Sequence, residues 1–377
     1  MAITNENTVL ILGAGVSVPF GMPLGGELLD KISKQISDEC VELNQEAATN
    51  FYKSYYAYVT KAADRNENVH QIPIHAALYK KLGPDDFRVS KKKLEDLQLL
   101  LENQTSETID DFIVENPSFA DITKICVAAI LFLSLSEMQN RNEDKKKPNN
   151  PLVRREVISL GQNATKERNW IHLLINIIRQ GIRQGLVTQD NKIQIITFNY
   201  DMILEYVLDN QFANTEFLTG KMWQDYIEIL HPHGKCDSFP SLAPNTANAI
   251  VKWAQGIFVI QENPMGLADE VFLARERAQE WVVSATEIYA AGFSFAGPNC
   301  RLLGMETKAF KAAKVYKKID FCNYDGNLGL SRTVSKLKVS ANSIHPRVEV
   351  EEQSGKQGSP LSVVNWIRMG VIGELPG

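Results

Sequence analysis

The chain has 377 residues, 44% of them hydrophobic and 23% charged, which supports a sizeable core and excludes wholesale disorder. A formal net charge of −5 excludes the overall basic footprint of a direct nucleic-acid binder, so no nucleic-acid partner is expected. The five cysteines are scattered (Cys40, Cys126, Cys236, Cys300, Cys322) without a CxxC pair, which argues against a zinc ribbon or a disulfide framework and for reduced thiols in a cytoplasmic protein. The opening residues are polar and lack the basic start of a secretory signal. The longest apolar run, Ile125 to Leu135, is too short to span a bilayer, so no membrane association is expected.

In chain order, Thr8 to Leu12 (TVLIL) predicts a strand buried on both faces, as in a parallel sheet. A glycine-rich turn follows, and Leu28, Leu29, Ile32 and Ile36 recur at helical spacing within Leu24 to Ile36. From about residue 37 to 190 helical periodicity dominates, including one or two helices over Thr108 to Leu135 and an amphipathic helix near Asn169 to Arg183. Between them, Arg141 to Asn150 (RNEDKKKPNN) is charged and apolar-free, and predicts a surface connection. Strand–helix alternation then returns. Strands are expected at Ile193 to Thr197, Tyr226 to Leu230, Thr286 to Ala291 and Val315 to Cys322, with helices near Asp201 to Leu208 and Cys300 to Lys314. The pattern predicts an α/β fold: a Rossmann-like, doubly wound parallel sheet with a large helical insertion. Residues 1–330 form the expected catalytic domain, with the inserted subdomain at about 37–190. After that, residues 331–377 carry β-type pieces at Lys336 to Val339 and Arg347 to Val350, outside the α/β pattern; this tail is a candidate oligomerisation segment.

Four segments carry chemistry. Gly13-Ala14-Gly15-Val16-Ser17, with Gly21-Met22-Pro23, follows the first strand, where a glycine-rich backbone and a helix start suit a pyrophosphate. A ligand-free tight turn is the plainer alternative, because the spacing is not GxGxxG. Thr197-Phe198-Asn199-Tyr200-Asp201 follows the second strand. Asn199 can both donate and accept at a ribose hydroxyl or a water, and Asp201 can equally serve as a helix cap. His231-Pro232-His233-Gly234 offers a general base near neutral pH, with Gly234 leaving room for a ligand. A metal pair at His231 and His233 is the alternative, without a matching carboxylate or cysteine cluster. Gly292-Phe293-Ser294 offers backbone N–H groups and a hydroxyl, and is not a nucleophile elbow, since Ala296 ends the pattern.

In this order the four segments resemble the sirtuin-like NAD-binding family. GAGVSVPFGMP is similar to its GAGxSxxxGxP loop, TFNYD to its Thr-Gln-Asn-x-Asp loop, HPHG to its catalytic histidine loop and AGFSFAGPN to its Gly-x-Ser loop. Asn323 is similar to an asparagine that approaches the adenosine, and Ser106 to Phe112 to a helix start of bacterial members. The chain lacks the four zinc-binding cysteines of the family's deacetylases, has Leu24-Gly25 in place of their Phe-Arg, and has Phe198 in place of their Gln. It resembles more closely the zinc-free, NAD-consuming branch of bacterial anti-phage defence. The resemblance implies an NAD hydrolase with NAD as substrate, no zinc, and Asn199, His233 and Asp201 as catalytic residues. It also implies that Gly13, Ala14, Gly15, Ser17, Gly21, Pro23, Thr197, Phe198, Gly292, Ser294 and Asn323 hold the dinucleotide. A homo-oligomer, and a partner ATPase, translocase or other defence sensor, are implied as well. Two rivals stand beside it: an NAD or ADP-ribose sensor without turnover, and an ADP-ribosyltransferase or deacylase.

Overall fold

The computed structural model describes residues 7–47, 51–65, 70–83, 87–106, 108–143, 170–213, 220–236, 246–260, 268–311, 317–322 and 348–352, with Val363 and Ile367. Six strands form one parallel sheet: β1 (Thr8–Leu12), β2 (Ile193–Thr197), β3 (Ile227–Leu230), β4 (Glu287–Ala291), β5 (Lys317–Cys322) and β6 (Val348–Glu352). Their order is β3-β2-β1-β4-β5-β6. This is the doubly wound order, in which the chain reverses its direction of travel across the sheet between β1 and β4, and loops at the carboxyl ends of the strands gather there. Helices cover both faces, and β1 is buried throughout. Leu10 and Leu12 enter one core and Val9 and Ile11 the other.

Between β1 and β2 lie α1 (Leu28–Ala47), α2 (Phe51–Arg65), α3 (Pro73–Leu82), α4 (Phe87–Glu102), α5 (Ile109–Glu115), α6 (Ala120–Glu143) and α7 (Trp170–Arg183). The α1 stripe of Leu28, Leu29, Ile32 and Ile36 is buried as its spacing predicts. Thr108 caps α5 by accepting the Asp111 N–H at 3.2 Å. Pro117–Ser136, which runs from the turn before α6 into that helix, is long and apolar enough to cross a membrane by length and composition, yet α6 packs against α1 and α3. Arg141, Asn142 and Glu143 continue α6 rather than starting the expected surface connection, and residues 144–150 lie outside the described ones.

The remaining described helices are α8 (Ile203–Ala213), α9 (Thr246–Gln255), α10 (Asp269–Ser284), α11 (Gly297–Leu302) and α12 (Lys308–Lys311). The last two replace the single expected helix. The inserted block also differs from its expected bounds. Helix α9, after β3, packs on α6, α3 and α2, with Trp253 against Phe132 at 6.1 Å between ring centres. Helix α7 instead flanks the sheet against α8. The reason is apolar surface: α9 buries Ala247, Ile250 and Trp253, with Ala247 and Trp253 packed among residues of the insertion. The tail needs a correction too. Val348–Glu352 is no appendage but the sixth strand, paired in parallel with β5. Lys336 to Val339 lies outside the described residues.

Candidate functional site

The loop after β1 turns through two short 3-10 segments, Ala14–Val16 and Val18–Phe20. Its glycines serve a contact between loops. A Cβ on Gly13 would lie 2.3 Å from the Gly292 carbonyl oxygen, and one on Gly15 would lie 2.9 Å from the Gly292 Cα. Gly292 itself has a φ of 60°, and its Cβ would meet the Val16 nitrogen at 2.6 Å. The Gly13 N–H donates to Ala291 and the Gly15 N–H to Gly292. The loops after β1 and β4 therefore close on each other at the switch point. Gly13, Gly15 and Gly292 are explained by that packing without a ligand.

The pocket opens one strand over, at the carboxyl ends of β1 and β2. It has about 270 Å3 of space, counting its open mouth. Leu12, Val16, Ser17, Phe20, Trp170, Ile171, Thr197, Asn199, Asp201, Ile203, Leu204 and Glu205 line it. Of the residues singled out in the sequence, Ser17, Thr197, Asn199 and Asp201 converge on this wall. Ala14, Gly21, Pro23, Gly292 and Ser294 do not line it. Gly21 and Ser294 are exposed, while Pro23 is buried. Phe198 faces the opposite core, 5.0 Å from Phe293 between ring centres. Asn323 lies outside the described residues.

One hydrogen-bonded chain joins the wall residues. The Asn199 amide donates to Ser17 Oγ at 2.9 Å, and the Ser17 hydroxyl donates to Asp201 Oδ2 at 2.8 Å. Asp201 Oδ1 accepts the Ile203 N–H at 3.1 Å, so Asp201 also caps the start of α8. Thr197 Oγ1 accepts the Asn199 N–H at 3.2 Å. Asn199 Oδ1 is buried and has no partner. An unmatched buried acceptor at a pocket wall is open to a donor from a ligand or a water. Burial pushes the Asp201 carboxyl up to about 6, against the pull of the Ser17 and Ile203 hydrogen bonds.

The two histidines of the next loop go to different surroundings. His233 sits edge-on to Phe198 at 4.9 Å and near Tyr200 at 6.2 Å between ring centres, so it leans on the residues flanking Asn199. Its Nε2 is buried without a partner. Burial first, and then the Arg275 charge, pushes it down to about 3, and neighbouring Asn299 offsets this only slightly. Its imidazole is neutral at physiological pH. His231 contacts Glu205, Nε2 to Oε1 at 2.5 Å, and its Nδ1 lies 3.4 Å from the Asn199 carbonyl oxygen.

The space beside Gly234 is not left for a ligand. At φ 73° a Cβ there would lie 2.0 Å from the Gly256 carbonyl oxygen, because residues 256–258 bridge antiparallel onto the histidine loop. The Phe258 N–H donates to the His233 carbonyl at 2.9 Å. Arg275 on α10 secures this arrangement, donating to the carbonyls of Pro232, Val259 and Ile260 at 2.7, 3.0 and 3.3 Å.

Sequence reasoning missed Glu205, Trp170, Phe20 and Arg275. The first had a signal: four residues after Asp201 on a helix puts Glu205 one turn further along the same side. Trp170 opens an amphipathic helix, and its Nε1–H donates to the Val16 carbonyl at 2.8 Å. Arg275 had no signal, since main-chain acceptors are invisible in sequence. Among the described residues no group of three or more His, Cys, Asp or Glu is gathered as for a metal. Burial raises the Cys236 thiol well above its ordinary range. No family model matches the chain, and a search of curated proteins finds no match.

Proposed function

We propose that the chain is an NAD hydrolase that cleaves the nicotinamide–ribose bond to give nicotinamide and ADP-ribose. The observation that carries this reading is the Asn199–Ser17–Asp201 chain at the pocket wall, with Asn199 Oδ1 unpartnered. His233 does not line the pocket but packs on the Phe198 and Tyr200 rings on either side of Asn199, with its Nε2 unpartnered. In the reaction the C1′–N bond breaks with its electron pair leaving on nicotinamide, and a water oxygen adds to the cationic C1′. Asn199 supplies an acceptor for a ribose hydroxyl or that water. Asp201 presents negative charge beside the developing cation and holds Ser17. His233, kept unprotonated by burial, takes the water's proton. A weak base suffices, because the carbon under attack is already cationic.

In this proposal NAD is the substrate, no zinc is needed, and the protein is a cytoplasmic, NAD-depleting effector of anti-phage defence. It acts as a homo-oligomer with a partner ATPase, translocase or other sensor. A second reading is a sensor of NAD or ADP-ribose without turnover, which would use the same unpartnered Asn199 Oδ1 to hold the nucleotide.

Nicotinamide release by purified protein separates the two readings. Asn199→Ala and His233→Ala should each lower release about 10²–10⁴-fold in protein that remains folded. Wild-type turnover in both variants sinks the hydrolase reading.

A further inference from the structure

The His231 ring lies between two acceptors. Its Nε2 meets Glu205 Oε1 at 2.5 Å, and its Nδ1 faces the main-chain oxygen of Asn199 at 3.4 Å. Both side chains are buried, and Glu205 also lines the pocket. A carbonyl oxygen can only accept, so the Nδ1 contact is attractive only when Nδ1 carries the proton. With Nδ1 protonated, a second proton must occupy the short Nε2–Glu205 contact, on one atom or the other. The pair together therefore holds two protons, and loss of either one turns one of the contacts repulsive.

Glu205 sits in the first turn of α8, two residues after the Ile203 N–H that Asp201 caps. Through His231 the same turn reaches back to the main chain of Asn199. We propose that His231 and Glu205 form a positioning pair that fixes the Asn199 peptide, and with it the Asn199 amide, at the pocket wall. This rests on the NAD-hydrolase reading of the pocket. Neither residue touches the reacting atoms. Their part is to hold Oδ1 of Asn199 where a ribose hydroxyl or water can meet it. The charged groups around His231 are Glu205 and Asp201 at the start of α8, and Arg275 of α10, which holds the Pro232 carbonyl of the same loop.

The test joins spectroscopy to kinetics. With only six histidines, the chain can be labelled with 15N in the imidazoles and His231 assigned from the signal lost in His231→Gln. A proton on Nδ1 of His231 at neutral pH is expected, and a bare Nδ1 overturns the proposal whatever the activity. In nicotinamide-release assays, Glu205→Gln and His231→Gln should lower kcat about tenfold to a hundredfold. For His231→Gln, KM should stay within about threefold, since His231 does not line the pocket. Wild-type kcat in both variants overturns the proposal while leaving the hydrolase reading intact. If the wild-type protein itself releases no nicotinamide, the hydrolase reading falls and the Nδ1 protonation alone decides the brace. The same measurement decides it if a variant fails to fold.

Discussion

Asp201→Asn should make the protein more stable at neutral pH while impairing it. The Asp201 carboxyl stands at about 6 in the folded chain against an ordinary 3.8, chiefly because burial disfavours its charge. For an acid raised in this way, the folded state holds a proton that the unfolded chain has already lost. Stability therefore falls as pH rises from about 4 to about 6, and the loss is complete above that. The gap of about two pH units corresponds to ~3 kcal/mol at pH 7. Roughly 2 kcal/mol of it develops between about pH 4.5 and pH 7. Asparagine removes this cost. It can still accept the Ile203 N–H, but it leaves the Ser17 hydroxyl without its carboxylate acceptor, a loss of about 1 kcal/mol. The net expectation is a gain of ~2 kcal/mol at pH 7, shrinking to near zero at about pH 4.5. Urea denaturation of both proteins at the two pH values measures it. A variant no better relative to wild type at pH 7 than at pH 4.5 would refute the reasoning. Under the proposed function the same substitution lowers nicotinamide release. Wild-type release should decline as pH falls through about 6, where Asp201 takes up its proton.

Three further outcomes follow from the geometry. Gly234→Ala puts a methyl group 2.0 Å from the Gly256 carbonyl oxygen at a φ of 73°, and should cost about 3 kcal/mol or more, read as a fall in the denaturation midpoint. Arg275→Met strips the donors from three main-chain carbonyls at about 1–3 kcal/mol for each one left buried, so amide exchange at Phe258 and Gly234 should quicken. Unchanged exchange there would show that the guanidinium does not hold the histidine loop. Far from the site, burial pushes His75 down, but hydrogen bonds that the ring makes to Cys40 and Glu39, with the Glu39 charge, outweigh it and raise the ring to about 9. For a base raised in the folded state, the added stability is full below about 6.5 and lost as pH rises through about 9. The melting temperature should fall across that window, and a flat profile would contradict a charged His75–Glu39 pair.

Sequence by itself determined the layer architecture. TVLIL is apolar from Val9 to Leu12, and IQIIT carries Ile193, Ile195 and Ile196, so both faces of each strand present apolar side chains, and a parallel sheet with helices on each side follows from composition and period. It also picked out Ser17, Thr197, Asn199 and Asp201, because polar residues directly after such strands must emerge at the carboxyl edge of the sheet. Tertiary structure alone decided how those residues are used. Whether Gly13 and Gly234 made room for a ligand or for the chain itself depended on Gly292 and Gly256, residues far away or in another loop. In both cases the chain fills the space. The two histidines of HPHG are alike in sequence, yet one meets the Glu205 carboxylate and the other rests on aromatic rings beside Arg275. The sixth strand and the transfer of α9 to the insertion were equally hidden. Short segments carry a period but not the identity of the surface they pair with, and long-range packing makes that choice.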